Sequence, residues 1–270
     1  VLEHLELTLL GDVHITCGGK PISGFKSAKA QALVCYLAVS GRPHSREELA
    51  HLLWGEMPES DAKANLRVTL CNLRTIIGPY IAVDRRNVML QPLSSRRLDV
   101  ARFRAILQHI DDDVTDEHLP ALREAVALYR GELLHNVYVR NAAAFEEWLR
   151  MEREQLRQLA VRAFYLIAMG HAQRGEFAEG VRVATQLLEI EPWNEEAHRL
   201  LILLFVRSGR RSAALMQYER CCRALATELG VEPARETIRL YERVRYGNAD
   251  SAMPSTRDGG RCSVCLNAWK

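Results

Sequence analysis

Residues 64 to 78 read A-N-L-R-V-T-L-C-N-L-R-T-I-I-G. Arginine and asparagine recur there, and both can make directional contacts to a polyanion or a base edge. At about 100° per residue, Leu66, Leu70, Leu73 and Ile77 fall in one stripe, which predicts a helix with that stripe turned to a core. Asp61, Ala64, Asn65, Val68, Cys71, Asn72 and Thr75 fall on the opposite face. A face meant only for water favours Glu and Lys, which keep good helix propensity. These side chains are mostly short and two are amides, so the helix can press close to a surface. Asn bonds bidentately to adenine, and Val or Thr methyls can touch the thymine methyl. Asn65, Val68, Asn72 and Thr75 are the expected base readers. Lys63, Arg67 and Arg74 flank them, placed to hold phosphates or a guanine edge. The competing reading is a helix buried in protein on both faces.

A second basic feature follows. Ile81 and Val83 alternate, as do Val88 and Leu90, with Asp84 to Asn87 between them. This predicts a hairpin whose tip carries Arg85 and Arg86. Lys26, Lys29, Arg42 and Arg46 flank the starts of two further helices, where free backbone amides can hold a phosphate. Residues 20–98 hold twelve Lys or Arg against six Asp or Glu, in a chain whose net charge is only +2. The imbalance suggests a polyanionic partner for that segment alone; chance clustering on a solvated surface is the alternative.

The elements that must position these residues are legible in outline. Leu5, Leu7 and Leu9 alternate, then Val13 and Ile15, which predicts short antiparallel strands. Ser27 to Ser40 has helical spacing and ends at Gly41, a residue free to turn left-handed. Ser45 and Glu48 fit a capping box before a short helix with Leu49, Leu52, Leu53 and Trp54 inward, stopped by Gly55. The third helix runs from Glu59 to Ile77 and closes at Gly78. Strands, three helices and a hairpin describe a winged helix, whose third helix enters the major groove of DNA.

From Asp99 onward the pattern reads as wholly helical. QRGEFAEGVRVA and RSGRRSAALMQY recur at an offset of 34 residues, aligning Gly175 with Gly209 and Gly180 with Ala214. That period is the tetratricopeptide signature, although several consensus Trp and Tyr are missing. Past Arg245 the chain turns polar and aperiodic, as a disordered tail does. The expected fold is mainly α: an α+β, OmpR-like winged helix over 1–98, an all-α tetratricopeptide-like domain over 99–245, and a tail over 246–270.

Little else carries chemistry. The seven cysteines are scattered and odd in number, which fits reduced thiols in the cytoplasm better than a disulfide framework. Cys262 and Cys265 form a lone C-x-x-C without a second pair, so no metal site is expected. No metalloprotease, P-loop or nucleophile-elbow motif occurs; no catalytic residue, cofactor, secretory signal or membrane span is expected.

Several stretches resemble one family. ELAHLLWGEMPESDAKANLRVTLCNLRTIIG is similar to the winged-helix half of SARP-like regulators, activators of antibiotic pathways in actinomycetes. LDVARFRAIL, ALREAVALYRGELL, FEEWLRMEREQLRQLA and ALMQYERCCRALATELGVEPARETIRLYERVR resemble their bacterial transcriptional activator domain. The resemblance spans about residues 5–245 and is most specific in L-R-x-x-L-x-x-L-R together with ELGVEP. It implies an activator that binds promoter direct repeats, with a helical half supporting DNA binding, self-association into a homo-oligomer and contact with RNA polymerase. It also implies a recognition helix from Lys63 to Thr75 and a wing at Arg85 and Arg86. Cys222 departs from it, standing where a basic residue is expected, and larger relatives continue into an ATPase module. The alternative is a tetratricopeptide-like interaction scaffold whose winged helix contacts protein rather than DNA.

Overall fold

The computed structural model describes residues 4–91, 93, 97–110 and 115–247. Contacts divide the chain into two compact units, Val1–His109 with Glu124–Ala160 and Ile110–Arg123 with Val161–Lys270. The first unit therefore extends past residue 98. The proposed tail, with Cys262 and Cys265, lies almost wholly outside the described residues.

In the first unit, alternation makes a sheet. Leu5 and Leu7 are buried while Glu6 is exposed, as a half-buried strand requires. Strand β1 (Leu5–Thr8) pairs antiparallel with β2 (His14–Cys17), and β2 with β3 (Lys20–Pro21). Helix α1 (Ala28–Ser40) starts at Ser27, whose hydroxyl accepts the Ala30 N–H, and ends at Gly41 with φ of 61°.

Strand β4 (His44–Ser45) leads into α2 (Arg46–Trp54), and α3 (Glu59–Ile77) follows. Only half of the expected capping box forms at α2. Ser45 accepts the Glu48 N–H at 3.0 Å, but the Glu48 carboxylate turns to Arg42 and to the buried His44. Gly78 is right-handed, and α3 runs into a 3-10 turn, Gly78–Tyr80, instead of stopping there. Strands β5 (Ile81–Val83) and β6 (Asn87–Leu90) form the hairpin, and β4 joins it in the order β4-β6-β5. The wing is therefore a three-stranded sheet that holds the start of α2.

Helices α4 (Asp99–Leu107) and α5 (Leu119–Leu128) follow. The wholly helical expectation fails next, because residues 129–142 contain no helix. This stretch pairs with the end of the first strand instead. Gly11 donates to Glu132 O at 3.0 Å, Leu134 to Leu9 O at 2.9 Å and His135 to Gly11 O at 3.0 Å. The buried Asp99 carboxylate closes the junction, accepting the N–H groups of Leu9, Leu10 and Val100 and the guanidinium of Arg130 at 2.8–3.0 Å.

The division between the units falls within α6 (Ala143–Gln173), after Ala160. In the second unit α7 (Phe177–Ile190), α8 (Glu195–Arg207), α9 (Arg211–Glu228) and α10 (Arg235–Tyr246) continue the chain. The 34-residue repeat is real in the backbone. Gly175 and Gly209 have φ of 75° and 73°. Behind them Glu176 donates to His171 O and Arg210 to Phe205 O, at 2.9 and 2.8 Å. Each is the same left-handed helix ending, 34 residues apart. Gly180 lets α7 meet α8: a Cβ there would lie 2.9 Å from Leu204 Cδ2. Between α8 and α9, His198 Nδ1 accepts from the Gln217 amide at 2.7 Å while Nε2 donates to Pro192 O at 2.9 Å. Burial lowers the His198 pKa, so the ring stays neutral in that tautomer. No described helix is long and apolar enough to cross a membrane. The chain is thus mainly α, a winged helix followed by tetratricopeptide-like helix pairs.

Candidate nucleic-acid interface

The leucine stripe sets the orientation of α3. Leu66, Leu70, Leu73 and Ile77 are each at most 4% exposed. The opposite face is open: Val68 is 64% exposed, and Asp61, Ala64, Cys71 and Thr75 are also exposed. One bare valine is ordinary on a protein surface, so the character of this face rests on its short side chains and on the cations beside it.

Beside this face lies a groove of about 450 Å³ bounded by the start of α2, by α3 and by the hairpin tip. Arg46, Lys63, Arg67, Arg85 and Arg86 line it, against one acid, Glu47. Three of the five cations are unengaged: the side chains of Arg67, Arg85 and Arg86 have no hydrogen bond or ion pair among the described residues. The tip is shaped by Asp84, whose carboxylate accepts the N–H groups of Arg86 and Asn87, each at 2.6 Å. The Asn87 and Arg86 amides hold the Asp84 pKa below its usual value. Arg46 completes the corner, donating through its backbone to Arg86 O and through its guanidinium to Asp84 O, at 3.0 and 2.8 Å.

Other expected residues are placed differently. Asn72 does not face outward. It is 8% exposed, its Oδ1 accepts the Lys26 N–H and its Nδ2 donates to Gly24 O, both at 3.1 Å. The correction is geometric: Asn72 sits next to Leu73 on the rim of the buried face, where the loop before α1 covers it, so its amide is not free to pair with adenine. Asn65 is half-buried, its amide turned to the Met57 sulfur at 3.5 Å. Thr75 is exposed, but its hydroxyl donates back to Cys71 O at 3.1 Å. Arg74 donates to Val83 O at 2.9 Å and so braces β5 against α3. Lys63 is paired with Glu59 and lies 3.7 Å from Glu47. The hydrogen bond to Glu59 raises its pKa.

The cations at the helix starts also divide. Lys29 donates to Leu53 O and, at 3.0 Å, to Asn141 O, with its ammonium 5.3 Å from the Trp54 ring centroid. Arg42 is paired with Glu48 at 2.9 Å. Neither is free for a phosphate. Lys26 is exposed and its ammonium has no partner among the described residues. Sequence reasoning had not grouped Arg46 with the hairpin arginines. Their meeting depends on β4, a two-residue strand too short to show any alternation.

Comparison with known proteins agrees with this architecture. Residues 98–245 match the family described as Bacterial transcriptional activator domain. Regulatory protein AfsR of Streptomyces coelicolor is 29% identical over 245 residues, covering 89% of this chain and 24% of AfsR. The chain thus spans about a quarter of that relative. Transcriptional regulator RedD of the same organism is 27% identical over 269 residues, covering 93% of this chain and 73% of RedD. The structure of Mycobacterium tuberculosis EmbR, solved in complex with a low affinity phosphopeptide, matches with a TM-score of 0.73. It is 24% identical, over 91% of this chain and 66% of that one, and shows the fold. With more than half of its residues matched, the chain belongs to the bacterial transcriptional activator domain family, and AfsR and RedD place it among the SARP-like regulators.

Proposed function

We propose that the chain is a sequence-specific, double-stranded-DNA-binding transcriptional activator, not an enzyme, working in the cytoplasm at promoter direct repeats. The observation that carries this reading is the open outer face of α3 beside a groove lined by five cations. In this mechanism α3 enters the major groove with Val68 toward the bases. Thr75 and Asn65 lie at the margins of that contact. Arg67 reaches a phosphate or a guanine edge, and Arg85 and Arg86 hold the backbone from the wing. Arg46, Arg74 and Asp84 keep the wing and the helix in register. Lys63 exchanges its carboxylate partners for phosphate as DNA arrives. The helical repeats recruit RNA polymerase and support self-association. The scaffold alternative would gain if the chain itself covered the outer face of α3, and among the described residues that face is open.

Binding to duplex DNA measured between 50 and 200 mM salt tests it. Affinity falls with a log-log slope of about −0.9 per phosphate contact. Replacing Arg85 and Arg86 together by Ala should remove about 1.8 from that slope, shrinking the fourfold-salt effect by about twelvefold. Arg67→Ala should cost about 1–3 kcal/mol at the operator if the side chain reads guanine bidentately. Binding that is unaffected by changing Arg67, Arg85 and Arg86 together would refute the docking.

A further inference from the structure

The buried Asn72 amide is the polar group on α3 that base reading leaves unexplained. Both of its ends are used on one loop: Oδ1 takes the Lys26 N–H and Nδ2 gives to Gly24 O. The loop is fitted to this partner. Gly24 has φ of 96°, a conformation open to glycine, and a Cβ there would lie 3.4 Å from the Ile76 methyl of α3. Asn72 lies four residues after the exposed Val68 and three before the exposed Thr75, so each is its neighbour one turn away along the helix. The residue whose backbone it grips carries the one cationic side chain, among Lys26, Lys29, Arg42 and Arg46, that no other group in the described structure occupies.

We propose that Asn72 is a positioning residue that fixes the Gly24–Lys26 loop to the recognition helix, and that Lys26 is thereby a phosphate contact on the DNA bound by α3. The inference rests on the DNA-binding reading and extends it to a loop outside the helix and wing. Two backbone hydrogen bonds to one buried amide hold the loop as a fixed clamp. Lys26 then meets the DNA backbone with little loop entropy left to lose. The contact carries no base information, because a phosphate is the same at every step of the sequence.

The test uses the full chain as wild type, Lys26→Ala, Asn72→Ala and the double variant, with a mixed-sequence 30-base-pair duplex as probe. Binding is read by fluorescence anisotropy from 50 to 200 mM KCl. Lys26→Ala should lower the salt slope by about 0.9, so the fourfold-salt effect shrinks about 3.5-fold. Asn72→Ala should do the same, and the double variant should be no worse than Asn72→Ala. The motif selected from a randomised duplex library should be identical for wild type and Asn72→Ala. An unchanged slope for Lys26→Ala overturns the proposal, and that variant decides alone if Asn72→Ala loses its circular dichroism signal. A selected motif that loses preference at one base pair in Asn72→Ala overturns it too, and makes Asn72 a base reader. A wild-type chain that binds no duplex at all overturns the DNA-binding reading and this inference together.

Discussion

Asp99→Ala is expected to be among the most damaging single changes in the first unit, although it lies in the sequence at the start of an ordinary helix. The carboxylate is buried and accepts from Leu9 N–H twice, from Leu10 N–H, from Val100 N–H and from Arg130. Leu9 and Leu10 are themselves fully buried, so no water can replace the lost acceptor. A buried donor left without a partner costs about 1–3 kcal/mol. Two such donors, less what relaxation recovers, give about 2–5 kcal/mol, a large share of a domain stability of about 5–15 kcal/mol. At about 2–4 °C per kcal/mol, the melting midpoint should fall by about 10 °C. Arg130→Ala should be mild, at most about 1 kcal/mol, because its side chain is 52% exposed and its loss leaves the carboxylate three N–H partners. Asp99→Asn should fall between them, since it keeps one acceptor oxygen. Thermal melts followed by circular dichroism and tryptophan fluorescence measure all three. A loss under 1 kcal/mol for Asp99→Ala, or an equal loss for Arg130→Ala, would refute the assigned role.

The remaining expectations concern truncation, packing and acid. A fragment of residues 1–98 lacks both Asp99 and the Glu132–His135 stretch that bonds to Leu9 and Gly11, so it should fail to fold cooperatively, whereas a fragment of residues 1–160 should melt as a unit; two equally sharp melts would contradict this. Gly180→Val should destabilise the second unit by about 1–3 kcal/mol, as overpacking does, since even a Cβ would press on Leu204; a urea midpoint equal to wild type would count against that close approach. Arg174, and then His171, hold the Glu176 pKa down to about 2 from 4.5. A depressed carboxylate pKa stabilises above the unfolded value and loses that contribution as pH falls through the folded one. The melting advantage of wild type over Glu176→Gln should therefore be steady from pH 8 to pH 6, shrink as pH falls from about 4.5 to 2, and vanish only below that; an advantage undiminished at pH 2 would refute it.

What the sequence revealed about the fold follows from the range of the forces involved. Helix caps and periodic faces are local, so α1 with Ser27 and Gly41, and α3 with its leucine stripe, were legible residue by residue. The repeat was legible because Gly175 and Gly209 each end a helix in the left-handed conformation, which few other residues tolerate. The stretch 129–142 was not. Its strand-like pairing depends on Leu9 and Gly11, more than a hundred residues earlier, and nothing local distinguishes it from a helix except Gly131 and the alternating Val137 and Val139. The half-formed capping box at α2 has the same origin. Glu48 had a local partner in the Ser45 N–H, but Arg42 and the buried His44 take its carboxylate.

The candidate interface was legible to the same limit. A helical wheel separates inward from outward positions: it put Val68, Asn72 and Thr75 on the open side and Arg67 on its flank, and all but Asn72 are exposed. It cannot register a loop folding over the edge of the helix, and Asn72 sits at that edge. An amide is a good base reader and equally a good clamp for a backbone N–H and C=O, because it offers one donor and one acceptor side by side. Which use is made depends on what the fold brings within 3.1 Å, and here that is Lys26 N–H and Gly24 O. The same logic sorts the cations. Lysines 26 and 29 are three residues apart and alike in type, yet Lys29 is spent on Leu53 O, Asn141 O and the Trp54 ring. Only their surroundings distinguish a structural ammonium from one free to meet a phosphate, so each charge has to be assigned from its partners in space before it is credited to binding.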